Sequence, residues 1–91
     1  MPSLRKVLDA VLTARSDNNV SFADLQRLLN RLGFTERRKG SHFIYTRDNI
    51  EEIINIQESA GGKAKAYQVK QIRDIITRYR LALSGNGTRG T

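Results

Sequence analysis

The sequence has no cysteine and no tryptophan, and it has one proline and one histidine among 91 residues. Without cysteine, disulfides and thiolate metal sites are excluded. A single histidine rules out a multi-histidine zinc site, although carboxylates would still hold a hard cation weakly. Long apolar runs are missing as well. The opening Met-Pro-Ser-Leu-Arg-Lys fits neither a signal peptide nor a membrane span, so a cytoplasmic protein with no membrane partner is expected. The chain is long enough for one core and too short for two, which predicts a single domain over residues 1–83 without a large enclosed cavity. No cofactor and no metal ligands are expected.

Positive charge is what the chain has in excess. Sixteen Lys and Arg stand against nine Asp and Glu, a net of +7. An excess of this kind suits a polyanionic partner such as a nucleic acid or an acidic protein. It is also regional. Residues 36–47 carry four basic side chains and one acid, residues 60–91 carry seven and one, and residues 48–59 carry four acids and no base. A binding face, rather than a uniformly basic surface, is the expectation.

Periodicity separates the elements. Leu4, Val7, Leu8, Val11 and Leu12 recur at steps of three and four, predicting a helix over 4–14. Ser21 reads as an N-cap, with Asp24 three residues on. Phe22, Leu25, Leu28, Leu29 and Leu32 are the buried stripe of a second helix, and Gly33 offers the left-handed residue that would end it. Phe34 to Lys39 reads as a short polar edge strand, Gly40-Ser41 as a bend, and His42 to Arg47 as a strand of aromatic and β-branched residues. After an Asp48-Asn49 turn, Ile50 to Gln57 forms a third strand. Ile54 and Ile56 share its core face, and Ile53, Asn55 and Gln57 its other face. In the middle strand Phe43-Ile44-Tyr45 is apolar on both sides, so alternation does not say which way His42 points. Glu58 to Ala66 reads as a flexible loop. Val69, Ile72, Ile75, Ile76 and Tyr79 then mark a final helix from about Ala66 to Leu81, and residues 84–91 a disordered tail. The result is an α+β fold, α-α-β-β-β-α, with helices on one face of a three-stranded antiparallel sheet.

Two stretches carry a family resemblance. Leu28-Leu29-Asn30-Arg31-Leu32-Gly33-Phe34 is followed by Lys39-Gly40-Ser41-His42-Phe43-Ile44-Tyr45, and the combination resembles the HicA toxins of toxin–antitoxin systems. Gly62-Lys63-Ala64-Lys65-Ala66-Tyr67-Gln68-Val69 with Gln71-Ile72-Arg73 is similar to the longer HicA-like proteins. The resemblance covers roughly residues 21–81. It implies a double-stranded-RNA-binding-domain-like α-β-β-β-α fold, metal-independent cleavage of mRNA, and inhibition by a HicB-type antitoxin. A homodimer of the free form is a further expectation. It also places His42 on the family's catalytic histidine, with Gly40 and Ser41 on the pair before it. The helix at 4–14 lies ahead of the minimal unit, and Asn55-Ile56-Gln57 replaces the Pro- and His-containing strand of many short members.

The residue chemistry agrees with that implication. Metal-free RNA cleavage needs a group that takes a proton from the 2′-hydroxyl and one that protonates the leaving 5′-oxygen, and histidine is the ordinary choice. One imidazole cannot do both in a single step. Tyr45, Lys39 or a water is left as the second group. Arg37, Arg38 and Lys39 are either a charged edge that discourages strand pairing or phosphate contacts that stabilise the developing negative charge. Lys63, Lys65 and Lys70 sit where a helix dipole disfavours cations, a conflict that bound phosphate would relieve. Arg73 continues their line along the helix. Tyr67 and Tyr79 read as core or rim residues. Glu51 and Glu52, adjacent on a strand, point to opposite faces and do not form a carboxylate pair. The reading is a toxin endoribonuclease, with a non-cutting RNA-binding module as the alternative that loss of His42 would discriminate.

Overall fold

The computed structural model describes residues 2–83, so the disorder expected of residues 84–91 lies outside the described residues. Helix α1 (Leu4–Thr13) begins at Ser3, whose hydroxyl accepts the Lys6 N–H, and stops at Ala14 in the left-handed region. Helix α2 (Phe22–Arg31) starts at the Ser21 cap, which accepts the Asp24 N–H, and Gly33 at φ +95° releases the chain from it. Three strands follow: β1 (Thr35–Lys39), β2 (His42–Arg47) and β3 (Ile50–Gln57). They pair antiparallel in the order β1-β2-β3. Helix α3 (Ala66–Tyr79) closes the described chain.

Side-chain alternation gives the sheet two unlike faces. Tyr45, Ile54 and Ile56 are fully buried against Leu25, Leu28 and Leu29 of α2 and Val69 and Ile72 of α3. Phe43 packs beside them, its ring edge-on to Phe22 at 5.6 Å between centroids. Val7, Leu8 and Val11 carry α1 into the same cluster. Each such aliphatic side chain contributes roughly 1.5–3 kcal/mol on burial, so the helical layer is the main source of cohesion. The α+β arrangement and the α-β-β-β-α order after an N-terminal helix are as the periodicity indicates.

The segment between β3 and α3 is not the loose loop expected of residues 58–66. A short 3-10 turn spans Ala60–Gly62, and Lys63 makes isolated bridges to both Ser59 and Ser21. Ala64 is buried, and its N–H donates to the Val20 carbonyl at 2.9 Å. Two glycines at positive φ let the chain double back, a geometry that residues with a Cβ rarely adopt. Backbone pairing therefore pins a stretch whose composition suggests freedom.

Candidate functional site

His42 is the first residue of β2, the central strand, and its side chain is exposed. The register settles the side on which it stands. His42 pairs with Lys39 of β1 and Gln57 of β3, while Ile44 pairs with Arg37 and Asn55. Directly paired residues share a face, so Arg37, Lys39, His42, Ile44, Asn55 and Gln57 form one outward surface away from the helices. Ile53 lies on the same side and is 61% exposed.

A two-residue turn delivers the histidine. Gly40 has φ +62°, and a Cβ built there would meet nothing within 4 Å, so the backbone favours glycine while the space above it is open. Ser41 is exposed, and its Oγ accepts a hydrogen bond from Gln57 Nε2 at 3.0 Å. His42 Nδ1 lies 2.8 Å from Asn55 Oδ1. Two amides of β3 thus hold Ser41 of the turn and His42 at the head of β2. Alternation alone puts Asn55 and Gln57 on the outward face but gives them no role. The available signal is an amide pair at i, i+2, on the strand beside Gly-Ser-His.

Of the basic residues singled out, the structure brings Arg37 and Lys39 together with His42. Arg38 goes to the other side: its guanidinium stands 5.2 Å from the centroid of the Phe43 ring, and Nε donates to the Gly40 carbonyl at 3.1 Å. Lys63 and Lys65 precede α3 and Lys70 lies within it, in the helical layer rather than on the outward sheet face. Lys63 Nζ donates to Asn19 Oδ1 at 2.7 Å, and exposed Lys70 pairs with Asp74 at 3.0 Å. Lys65 is the N-cap of α3, and its N–H donates to the Gln68 side chain. Arg73 is taken up internally. Its Nη1 donates to both Asp17 oxygens, at 2.9 and 3.1 Å, and to the Val11 carbonyl at 3.1 Å, tying α3 to the end of α1.

Tyr45 drops out as a proton-transfer partner for His42. It is fully buried on the opposite face and donates to Glu36 Oε1 at 2.6 Å. Burial, and then the Glu36 carboxylate, push the phenol well above the ordinary tyrosine range. Tyr79 is half-buried, whereas Tyr67 is 66% exposed and so is no core residue. Glu52 accepts from Tyr79 and Arg78, and the bond from Tyr79 is the main cause holding its carboxyl below the usual range. No group of three or more His, Cys, Asp or Glu side chains gathers among the described residues, and no helix among them is long and apolar enough to cross a membrane.

The strand that presents His42, the Gly40-Ser41 turn and helix α2 all lie within one recognised span. Residues 22–78 match the family model described as HicA toxin of bacterial toxin–antitoxin systems. No curated protein and no solved structure matches the chain. With more than half of its length in that match, the chain belongs to the HicA toxin family of bacterial toxin–antitoxin systems.

Proposed function

We propose that this toxin is an endoribonuclease that cuts mRNA without a metal ion, using His42 in proton transfer. The observation that carries the reading is the position of the imidazole: exposed, at the head of the central strand, on the one sheet face that also carries Arg37 and Lys39. Membership of a toxin family supplies the biological frame, and the geometry supplies a chemistry for it. RNA lying across this face would have its phosphate beside two cations, which favour the extra negative charge of the phosphorane. His42 takes the proton of the 2′-hydroxyl as the O2′–P bond forms. The P–O5′ bond then breaks, its electron pair goes to O5′, and that oxygen receives a proton from Lys39 or a water. The products are a 2′,3′-cyclic phosphate and a free 5′-hydroxyl.

Ser41 contributes differently. Its oxygen already accepts from Gln57, which leaves its own O–H to donate to a phosphate oxygen. Arg38 supports the turn by holding the Gly40 carbonyl rather than by touching RNA. Arg73 serves the fold in the same sense. A HicB-type antitoxin of acidic character, set over the His42 face, would neutralise both charge and chemistry. The site of action on this reading is the cytoplasm, where mRNA is present.

The experiment is expression without an antitoxin, combined with RNA cleavage by purified protein in excess EDTA. Growth arrest and cleavage are expected of the native sequence, and His42→Ala removes both, by roughly 10²–10⁴-fold in rate, while the protein remains folded. Equal toxicity of the Ala variant would refute the assignment. Retained RNA affinity with no cleavage by either protein would instead identify a binding module.

A further inference from the structure

We propose that Asn55 is a positioning residue that fixes the proton of His42 on Nδ1 and turns Nε2 outward as the proton acceptor. The chemistry of the two atoms in contact carries this. A carboxamide oxygen only accepts, so the 2.8 Å bond between Asn55 Oδ1 and His42 Nδ1 requires hydrogen on Nδ1. In the neutral ring the lone pair then belongs to Nε2, the nitrogen that Asn55 does not touch. A histidine free in water favours the opposite tautomer, with hydrogen on Nε2. The contact therefore reverses the default and leaves the outer nitrogen as a base.

The placement of Asn55 suits this task. It lies between Ile54 and Ile56, both fully buried, so its backbone is held on both sides by the core. Its register partner is Ile44, and it reaches His42 along the diagonal, a separation within range of cross-strand side chains. Gln57, the direct partner of His42, is engaged with Ser41, so the two amides divide the turn between them. The charged groups that face His42 from its neighbours are Lys39 and Arg37 of β1. On β3 the facing groups are the neutral amides. After proton uptake both ring nitrogens donate, and Asn55 Oδ1 accepts from Nδ1 unchanged. The same contact thus serves the ring before and after the transfer.

The catalytic consequence rests on the ribonuclease reading above, whereas the proton assignment does not. The two are separated by observing the ring directly. With ¹⁵N-histidine in the full chain, long-range ¹H–¹⁵N correlation at a pH where the imidazole is neutral reports which nitrogen carries hydrogen, and His42 gives the only such signal. The native protein is expected to show Nδ1–H. Asn55→Ala shifts the ring toward Nε2–H, and Asn55→Asp, which keeps an acceptor oxygen at the same reach, preserves Nδ1–H. Residue 55 is exposed, so both variants are expected to fold, which an unchanged melting temperature checks. An Nε2–H ring in the native protein, or no change in the Ala variant, overturns the proposal. In RNA cleavage, Asn55→Ala lowers kcat by about 10-fold or more with KM unchanged, as is typical for outer partners of a reacting histidine, and Asp recovers much of it. An unchanged kcat overturns the positioning role. A native protein with the Nδ1–H ring and no cleavage supports the assignment and sinks the ribonuclease reading alone.

Discussion

Arg37 and Arg38 are adjacent in β1 and serve opposite faces of the sheet. Arg37 pairs with Ile44 on the outward side, whereas Arg38 pairs with Phe43 and lies over its ring. A basic run that reads as one patch in sequence is thus divided between solvent and the rim of the core. Substitution should separate the two roles. Arg37→Ala with Lys39→Ala is expected to lower the salt dependence of RNA binding by about 0.7 in logarithmic slope for each phosphate no longer neutralised. Arg38→Ala should leave that slope alone and cost up to about 1 kcal/mol of stability, because no cation then covers the Phe43 ring. Fluorescence titrations over a salt series, with urea unfolding alongside, check both, and the reverse pattern would put RNA on the helical side.

The lysines ahead of α3 should act at a distance. Lys63→Glu with Lys65→Glu changes the charge by four near the end of β3, the end that neighbours His42, but not on the outward face itself. The expected result is weaker RNA binding at low salt. The difference from the native protein should close as the screening length falls from about 10 Å at 0.1 M toward 3 Å at 1 M. A deficit that persists at high salt would show direct contact by those side chains.

Arg73 belongs with stability. Its bonds to Asp17 and the Val11 carbonyl are partly buried, with the arginine side chain 17% and the aspartate 23% exposed. Hydrogen bonds to charged groups are worth about 1.5–3 kcal/mol each before solvent screening. Arg73→Ala should therefore lower the unfolding free energy by an amount of this order in urea. RNA affinity, measured well below the melting temperature, should fall no more than removal of one distant charge requires.

Alkaline pH tests the buried phenol. Because the folded-state pKa of Tyr45 is raised, its contribution is fully present below the unfolded tyrosine value of about 10. It disappears as pH rises through the folded value. Tyr79 is shifted in the same direction, chiefly by its bond to Glu52. Tyr45→Phe should cost about 1 kcal/mol at pH 7 for the missing hydrogen bond, yet lose less stability than the native protein between pH 7 and pH 11. Parallel unfolding curves at the two pH values would contradict the assignment.

The legible part of this fold is the part governed by local repeats. The Leu25, Leu28, Leu29 stripe and the alternation of Ile54 and Ile56 identify α2 and the core side of β3, and both are buried as expected. The facing of His42 is not legible, because Phe43, Ile44 and Tyr45 satisfy either orientation. Phe22, 21 residues earlier, decides it by packing on Phe43. The roles of Arg73 and Lys63 depend on Asp17 and Asn19, partners 56 and 44 positions away, which no spacing rule reaches. The fixed loop at 58–65 is hidden for the same reason: its partners are Ser21 and Val20. Alternation assigns Asn55 to the correct face. Its partnership with the imidazole needs the strand register.

Ancestry and self-sufficiency have different borders in this chain. The family match starts at Phe22, yet the oily interior starts at Val7, and Leu8 and Val11 of α1 are buried in it, with Arg73 of α3 bonding back to the Val11 carbonyl. A gene trimmed to the matched span would strip one wall from the protein and leave a wet gap along two helices. Any engineered version that is meant to keep its shape has to retain the leading helix.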